Sequence, residues 1–123
     1  MQLLGIDNVF FEVGDLEAAI LLYQQLGFTL KFKIPQLPGA LLKIGKEEPG
    51  LILQEVVFPS PCKLWVEVEN AHLFKTMCEN AQLTGELLET TTGYTYQMKD
   101  PWKNVLGFAD YTKKPDLARK TSS

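Results

Sequence analysis

Apolar and polar side chains alternate over residues 6–13, with Asp7, Val9, Phe11 and Val13 on one face and Ile6, Asn8, Phe10 and Glu12 on the other. That period predicts a half-buried strand whose valine-bearing face meets a helix. The helix follows at once: Leu16, Ala19, Ile20, Tyr23 and Leu26 recur at helical spacing, Asp15 is placed to cap the start, and Gly27 is placed to end it. Strands are predicted next over 28–34, 40–44 and 50–57, separated by a turn at 35–39 and a polar connection at 45–49. Phe58-Pro59-Ser60-Pro61 reads as a linker, because two prolines in four residues oppose both helix and ladder pairing. The order then repeats. A strand over 63–69 leads to a helix over 71–83, capped by Asn70 and stopped by Gly85, and strands follow near 86–91, 94–98 and 104–110. Asp100-Pro101-Trp102-Lys103-Asn104 has the residues of a reversal between the last two.

The repetition is visible in the residues themselves. Val9-Phe10-Phe11-Glu12-Val13 before Gly14-Asp15 corresponds to Leu64-Trp65-Val66-Glu67-Val68 before Glu69-Asn70, 55 residues further on. Each copy keeps an acidic residue ahead of its last valine and supplies a helix-capping Asp or Asn. One unit used twice is therefore expected: a first module over 1–57, a linker over 58–62, a second module over 63–111 and a flexible tail over 112–123. Two such halves are expected to face each other across a cleft, where small-molecule binding or chemistry belongs.

Composition narrows the class. At 123 residues the chain can bury an adequate core without disulfides. Cys62 and Cys78 lack a CxxC spacing and read as reduced thiols. The amino terminus has no basic stretch followed by a long apolar run, and no later segment is long enough to cross a bilayer, so a soluble cytoplasmic protein without membrane association is expected. A net charge of -3 excludes a broad phosphate-binding surface, and with it nucleic acid as a partner. Lys113, Lys114, Arg119 and Lys120 form the one basic cluster and fall in a tail expected to be solvated, frayed and without function.

The element order, the segment VGDLEAAILLYQQLGF after the first strand and DPWKNVLGF before the last together resemble the vicinal oxygen chelate superfamily, over about residues 5 to 111. That superfamily includes glyoxalase I, extradiol dioxygenases, and fosfomycin and bleomycin resistance proteins. The resemblance implies an α+β fold of two βαβββ modules forming a curled mixed sheet around a cleft, completed in a homodimer.

In metal-using members a ligand, usually His, comes from the first strand of each module, and another, usually Glu, from the last strand. Matched position by position, the first-strand sites fall on Asn8 and Lys63 and the final-strand site of the second module on Gly107. In the fourth strand the register is open between Ile52 and Glu55, leaving Gln54 or Glu55 some ligand character. An ammonium repels a divalent cation and a glycine donates nothing, so no metal and no cofactor is expected. The one histidine, His72, reads as a solvent-facing helix residue.

If Asn8 and Lys63 point inward as the ligands they replace do, so do Phe10 and Glu12, and Trp65 and Glu67. Aromatic walls with flanking charges suit a small polar organic molecule. Tyr94 and Tyr96 share a strand face and are assigned either to the cleft or to the sheet edge, and Trp102 to the surface, a dimer edge or the groove rim. The candidate ligand-binding set is Asn8, Phe10, Glu12, Glu55, Lys63, Trp65, Glu67, Tyr96 and Trp102, with no catalytic residue assigned. The expected function is metal-free binding of a small organic molecule, similar to the bleomycin resistance proteins. The alternative is a lyase, isomerase or dioxygenase of the same superfamily, with relocated metal ligands or acid/base work by Glu12, Glu55 and Glu67. A third reading is a structural dimer whose pocket is filled by its own side chains.

Overall fold

In the computed structural model, which describes residues 1–4, 6–36, 38–46 and 49–120, the chain divides into two compact units, Met1–Cys62 and Lys63–Ser123. Gly5, Leu37 of the expected first turn, Glu47 and Glu48 of the expected polar connection, and the last three residues of the tail lie outside the described residues.

The first unit runs β1 (Asn8–Val13), α1 (Leu16–Gln25), β2 (Thr29–Ile34), β3 (Gly39–Lys43) and β4 (Gly50–Glu55). Its sheet has the order β1-β4-β3-β2, with β1 and β4 parallel and the remaining pairs antiparallel. The alternation read from sequence decides which side is covered. Phe11 and Val13 of β1, Ala40 and Leu42 of β3, and Leu51 and Leu53 of β4 are all fully buried beneath Ala19, Ile20 and Tyr23 of α1. Tyr23 meets Phe11 and Phe28 edge-on, at ring separations of 6.2 and 5.3 Å. Each such large apolar side chain removed from water contributes about 1.5–3 kcal/mol before entropy is counted. Asp15 accepts from the Ala18 amide at 3.1 Å as the helix cap, and Gly27, at φ 107°, takes the left-handed turn that stops it.

The second unit runs β5 (Lys63–Glu67), α2 (Ala71–Asn80), β6 (Glu86–Glu89), β7 (Tyr94–Lys99) and β8 (Val105–Ala109), with sheet order β5-β8-β7-β6. β5 and β8 are parallel, and the other neighbours are antiparallel. Phe108, Tyr96, Leu106 and Met98 form the helix-covered side, and Phe74 of α2 stacks on Phe108 at 4.1 Å. Burial pushes the Cys78 thiol up from its ordinary value, with the nearby Glu79 charge adding to the effect, so this sulfur is an inert packing group.

Two expectations are corrected here. The second helix ends at Asn80, and the left-handed residue after it is Gln82 at φ 62°, at the repeat position of Gly27. Gly85 instead precedes β6, where an added Cβ would come within 2.6 Å of the Gln97 carbonyl oxygen. The tail is not frayed through Arg119: the Lys113 amide donates to Thr92 O, and Pro115–Leu117 forms a 3-10 turn. Its polar composition concealed partners that lie far back in the chain.

Candidate functional site

Each sheet has a helix-covered side and an open side, and the strand registers say which residues share the open one. In the first unit β1 places Asn8, Phe10 and Glu12 there. Phe10 stands opposite Ile52, Ile52 opposite Leu41, and Leu41 opposite Phe32, so one apolar row crosses all four strands. Ile52 is 8% exposed, while Phe10 and Phe32 at the two ends of the row are 51% and 53% exposed. Phe32 reaches this side because the β2–β3 register shifts between Leu30 and Phe32. No periodicity in the sequence announced that shift.

In the second unit the open row is Trp65, Gly107, Gln97 and Glu86. A Cβ added at Gly107 would lie 2.6 Å from both Cδ2 and Nε1 of Trp65. The indole therefore lies across the glycine, one face held against backbone, and Trp65 remains 46% exposed. Glycine is required here because only a residue without a side chain admits a ring at that distance. The first unit has a smaller version of the same device: an added Cβ at Gly50, opposite Asn8, would meet the Asn8 side-chain oxygen at 2.6 Å.

The remaining sequence-assigned residues divide. Glu12 accepts from the Ser60 amide at 2.8 Å, and Glu67 accepts from the backbone N–H and Nη1 of Arg119 at 2.9 and 2.6 Å. Lys63 is exposed at the start of β5. Two members of the set do not reach the open side. Glu55 stands opposite Val13, and its carboxylate accepts from the Leu16 amide at 2.8 Å, so it serves the first turn of α1. This answers the open register: Ile52, opposite Phe10, is the counterpart of Gly107, opposite Trp65. Tyr96 is 1% exposed on the helix-covered side beside Phe74, where the same strand alternation that exposes Gln97 buries it. Tyr94 is on that side too, edge-on to His72 at 4.6 Å. Trp102 is half-buried in the Asp-Pro turn, and its amide donates to Asp100 at 2.9 Å.

Asp110 went unremarked in sequence, although it lies 55 residues after Glu55. It does for α2 what Glu55 does for α1, accepting from the Ala71 amide at 2.7 Å. The Tyr94 amide and the Thr112 amide and hydroxyl also donate to it. Burial alone pushes this carboxyl up, but the hydrogen bonds from Ala71, Thr112 and Tyr94 outweigh it and hold the group below the usual carboxylate range. Asp100 and Asn104, both buried, tie the Asp-Pro turn together in a similar way, through Asn104 N and Nδ2 donating at 2.9 Å.

No protein-family model and no curated protein matches this sequence. Solved structures do. TnmS3, an antibiotic binding protein from a Streptomyces species, superposes with a TM-score of 0.81 at 19% identity, over 91% of this chain and 99% of that one. A member of the glyoxalase/bleomycin resistance protein/dioxygenase superfamily from Sphaerobacter thermophilus gives 0.75 at 14% identity, covering 88% and 98%. Lactoylglutathione lyase from Agrobacterium tumefaciens gives 0.72 at 16% identity, covering 89% and 96%. The chain has the vicinal oxygen chelate fold.

Identities this low establish the architecture and leave the chemistry to the residues. The metal that the vicinal oxygen chelate fold implies can be tested against them. Lys63 offers an ammonium, Ile52 a hydrocarbon and Gly107 a backbone covered by indole, while Glu55 is committed to the Leu16 amide. Among the described residues no three His, Cys, Asp or Glu side chains are grouped to hold a metal ion. These donors do not fit a divalent cation. No helix among the described residues is long and apolar enough to cross a membrane.

Proposed function

We propose that the protein binds a small organic molecule carrying a flat apolar group on the open side of its second module, without a metal centre and without altering the ligand. The observation behind this is Trp65. An indole clamped to Gly107 on one face and 46% exposed offers stacking area whose conformational entropy is already lost. Lys63 and Gln97 on the same side of the sheet supply orienting charge and hydrogen bonds, while Glu67 further along β5 is held by Arg119. Asn8, Phe10 and Glu12, with Leu41 and Phe32, form a second and more apolar surface in the first module, and Trp102 is kept as a rim residue. That an antibiotic binding protein shares the fold supports a binding role. The same reading takes the protein as a cytoplasmic homodimer.

Fluorescence titration with a panel of flat aromatic antibiotics, on a Trp102→Phe background so that Trp65 reports alone, tests the proposal. Trp65→Ala, followed by isothermal titration calorimetry because it removes the reporter, is expected to weaken a bound compound by about 1–3 kcal/mol with the fold intact. An unchanged affinity removes Trp65 from the site. Elemental analysis after incubation with nickel, zinc, manganese and iron tests the metal-free part, and one equivalent of retained metal overturns it.

A further inference from the structure

After β8 the chain turns back toward the C-terminal end of β5 and is pinned at two points. Lys113 donates to Glu89 and, at 3.2 Å, to Thr90 O, with its Nζ 5.2 Å from the centre of the Tyr94 ring. The 3-10 turn then returns Arg119 to Glu67, where one carboxylate receives both the backbone N–H and the guanidinium. A cavity of about 400 Å³ lies there, lined among others by Glu67, Glu69, Tyr111, Ala118 and Arg119. That volume suits a small organic molecule.

The two partners at the second pin are unequal. The Glu67 side chain is 15% exposed and that of Arg119 is 67% exposed. The anion belongs to the sheet, whereas the cation is delivered from the solvent side by a terminal segment. A largely buried carboxylate retains its demand for a cationic partner whichever molecule supplies it, and once Arg119 leaves, Glu67 and Glu69 share this wall with one remaining cation among the described residues, Lys120. A planar nitrogen fork matches the two carboxylate oxygens, as the guanidinium does.

We propose that this cavity is a second binding site, for a small organic cation of the amidinium or guanidinium class, and that Arg119 is its internal competitor. Entry of the cation places its nitrogen fork on Glu67 and releases Arg119 from that carboxylate. The site is separate from the Trp65 surface and does not depend on it.

Isothermal titration calorimetry with benzamidinium at low ionic strength, and neutral benzamide as the control, tests this on the full chain. Arg119→Ala is expected to bind benzamidinium about fivefold more tightly than the parent. Glu67→Gln is expected to lose binding, Trp65→Ala to keep it, and benzamide affinity to be the same with and without Arg119. A measurement on the unmodified chain accompanies this: saturating benzamidinium should speed hydrogen exchange at the Arg119 amide, whose acceptor is Glu67. Equal benzamidinium affinity with and without Arg119, an unchanged Arg119 exchange rate, or loss of binding in Trp65→Ala but not in Glu67→Gln overturns the proposal, the last by assigning the probe to the Trp65 surface.

Discussion

Asp110→Asn tests how far the second module depends on one buried carboxylate. Asp110 is 0% exposed and accepts from the amides of Ala71, Tyr94 and Thr112 and from the Thr112 hydroxyl, at 2.7 to 3.2 Å. Asparagine keeps one carbonyl oxygen for the donors on Oδ1 but turns an amide NH2 toward the Ala71 N–H, leaving a buried donor facing a donor. Bonds to a charged acceptor contribute about 1.5–3 kcal/mol each, and an unsatisfied buried donor costs about 1–3 kcal/mol. A loss of about 3 kcal/mol is expected, against about 0.5 kcal/mol for Glu55→Gln, where the residue is exposed and a neutral oxygen can still accept the one amide. Urea unfolding at several pH values is the assay. The native carboxyl of Asp110 titrates below its unfolded value, so the folded state binds fewer protons. Its stabilisation is complete above the ordinary carboxylate range near pH 4 and is lost as pH falls through that range and then through the native value. The gap between parent and Asp110→Asn should therefore be widest at pH 6–7 and shrink as the pH falls below about 4. A gap that does not change with pH, or one no larger than that of Glu55→Gln, would falsify the account of Asp110 as an ionised anchor.

Gly107→Ala should lift the indole of Trp65 from the backbone, costing about 1–3 kcal/mol and changing the near-ultraviolet circular dichroism of the tryptophan, while an unaltered signal would show that the ring does not rest there. Gln82→Gly should raise stability by about 0.5–1 kcal/mol in thermal unfolding, since the exposed glutamine sits at φ 62° where glycine is unstrained; a drop in stability refutes the strain. Of the two thiols, exposed Cys62 should react quickly with an alkylating reagent and Cys78 only at the rate of opening of the second unit, which a time course with mass detection resolves; equal rates contradict the burial of Cys78.

Much of the architecture is legible in the residue order, because period and punctuation are local properties. The alternation at Phe10-Phe11-Glu12-Val13 already sorts β1 into a helix-covered and an open side, Asp15 and Asn70 mark both helix starts, and the 55-residue spacing pairs Asn8 with Lys63, Phe10 with Trp65 and Glu12 with Glu67. That same spacing pairs Glu55 with Asp110. Neither reads as a helix anchor in sequence, because the amide each receives lies 39 residues away.

What the chain order cannot express is which side chains meet once strands pair. Tyr96 and Gln97 are adjacent in sequence, yet the register of β7 against β8 buries one and opens the other. A one-residue shift in β2 carries Phe32 onto the apolar row, and a glycine at position 107 has meaning only because Trp65 lies opposite it. Arg119 reaches Glu67 across 52 residues of sequence. Pattern determines the elements because hydrophobic burial acts face by face along each one, whereas the site is made by contacts between elements, and those exist only after long-range pairing has chosen a register.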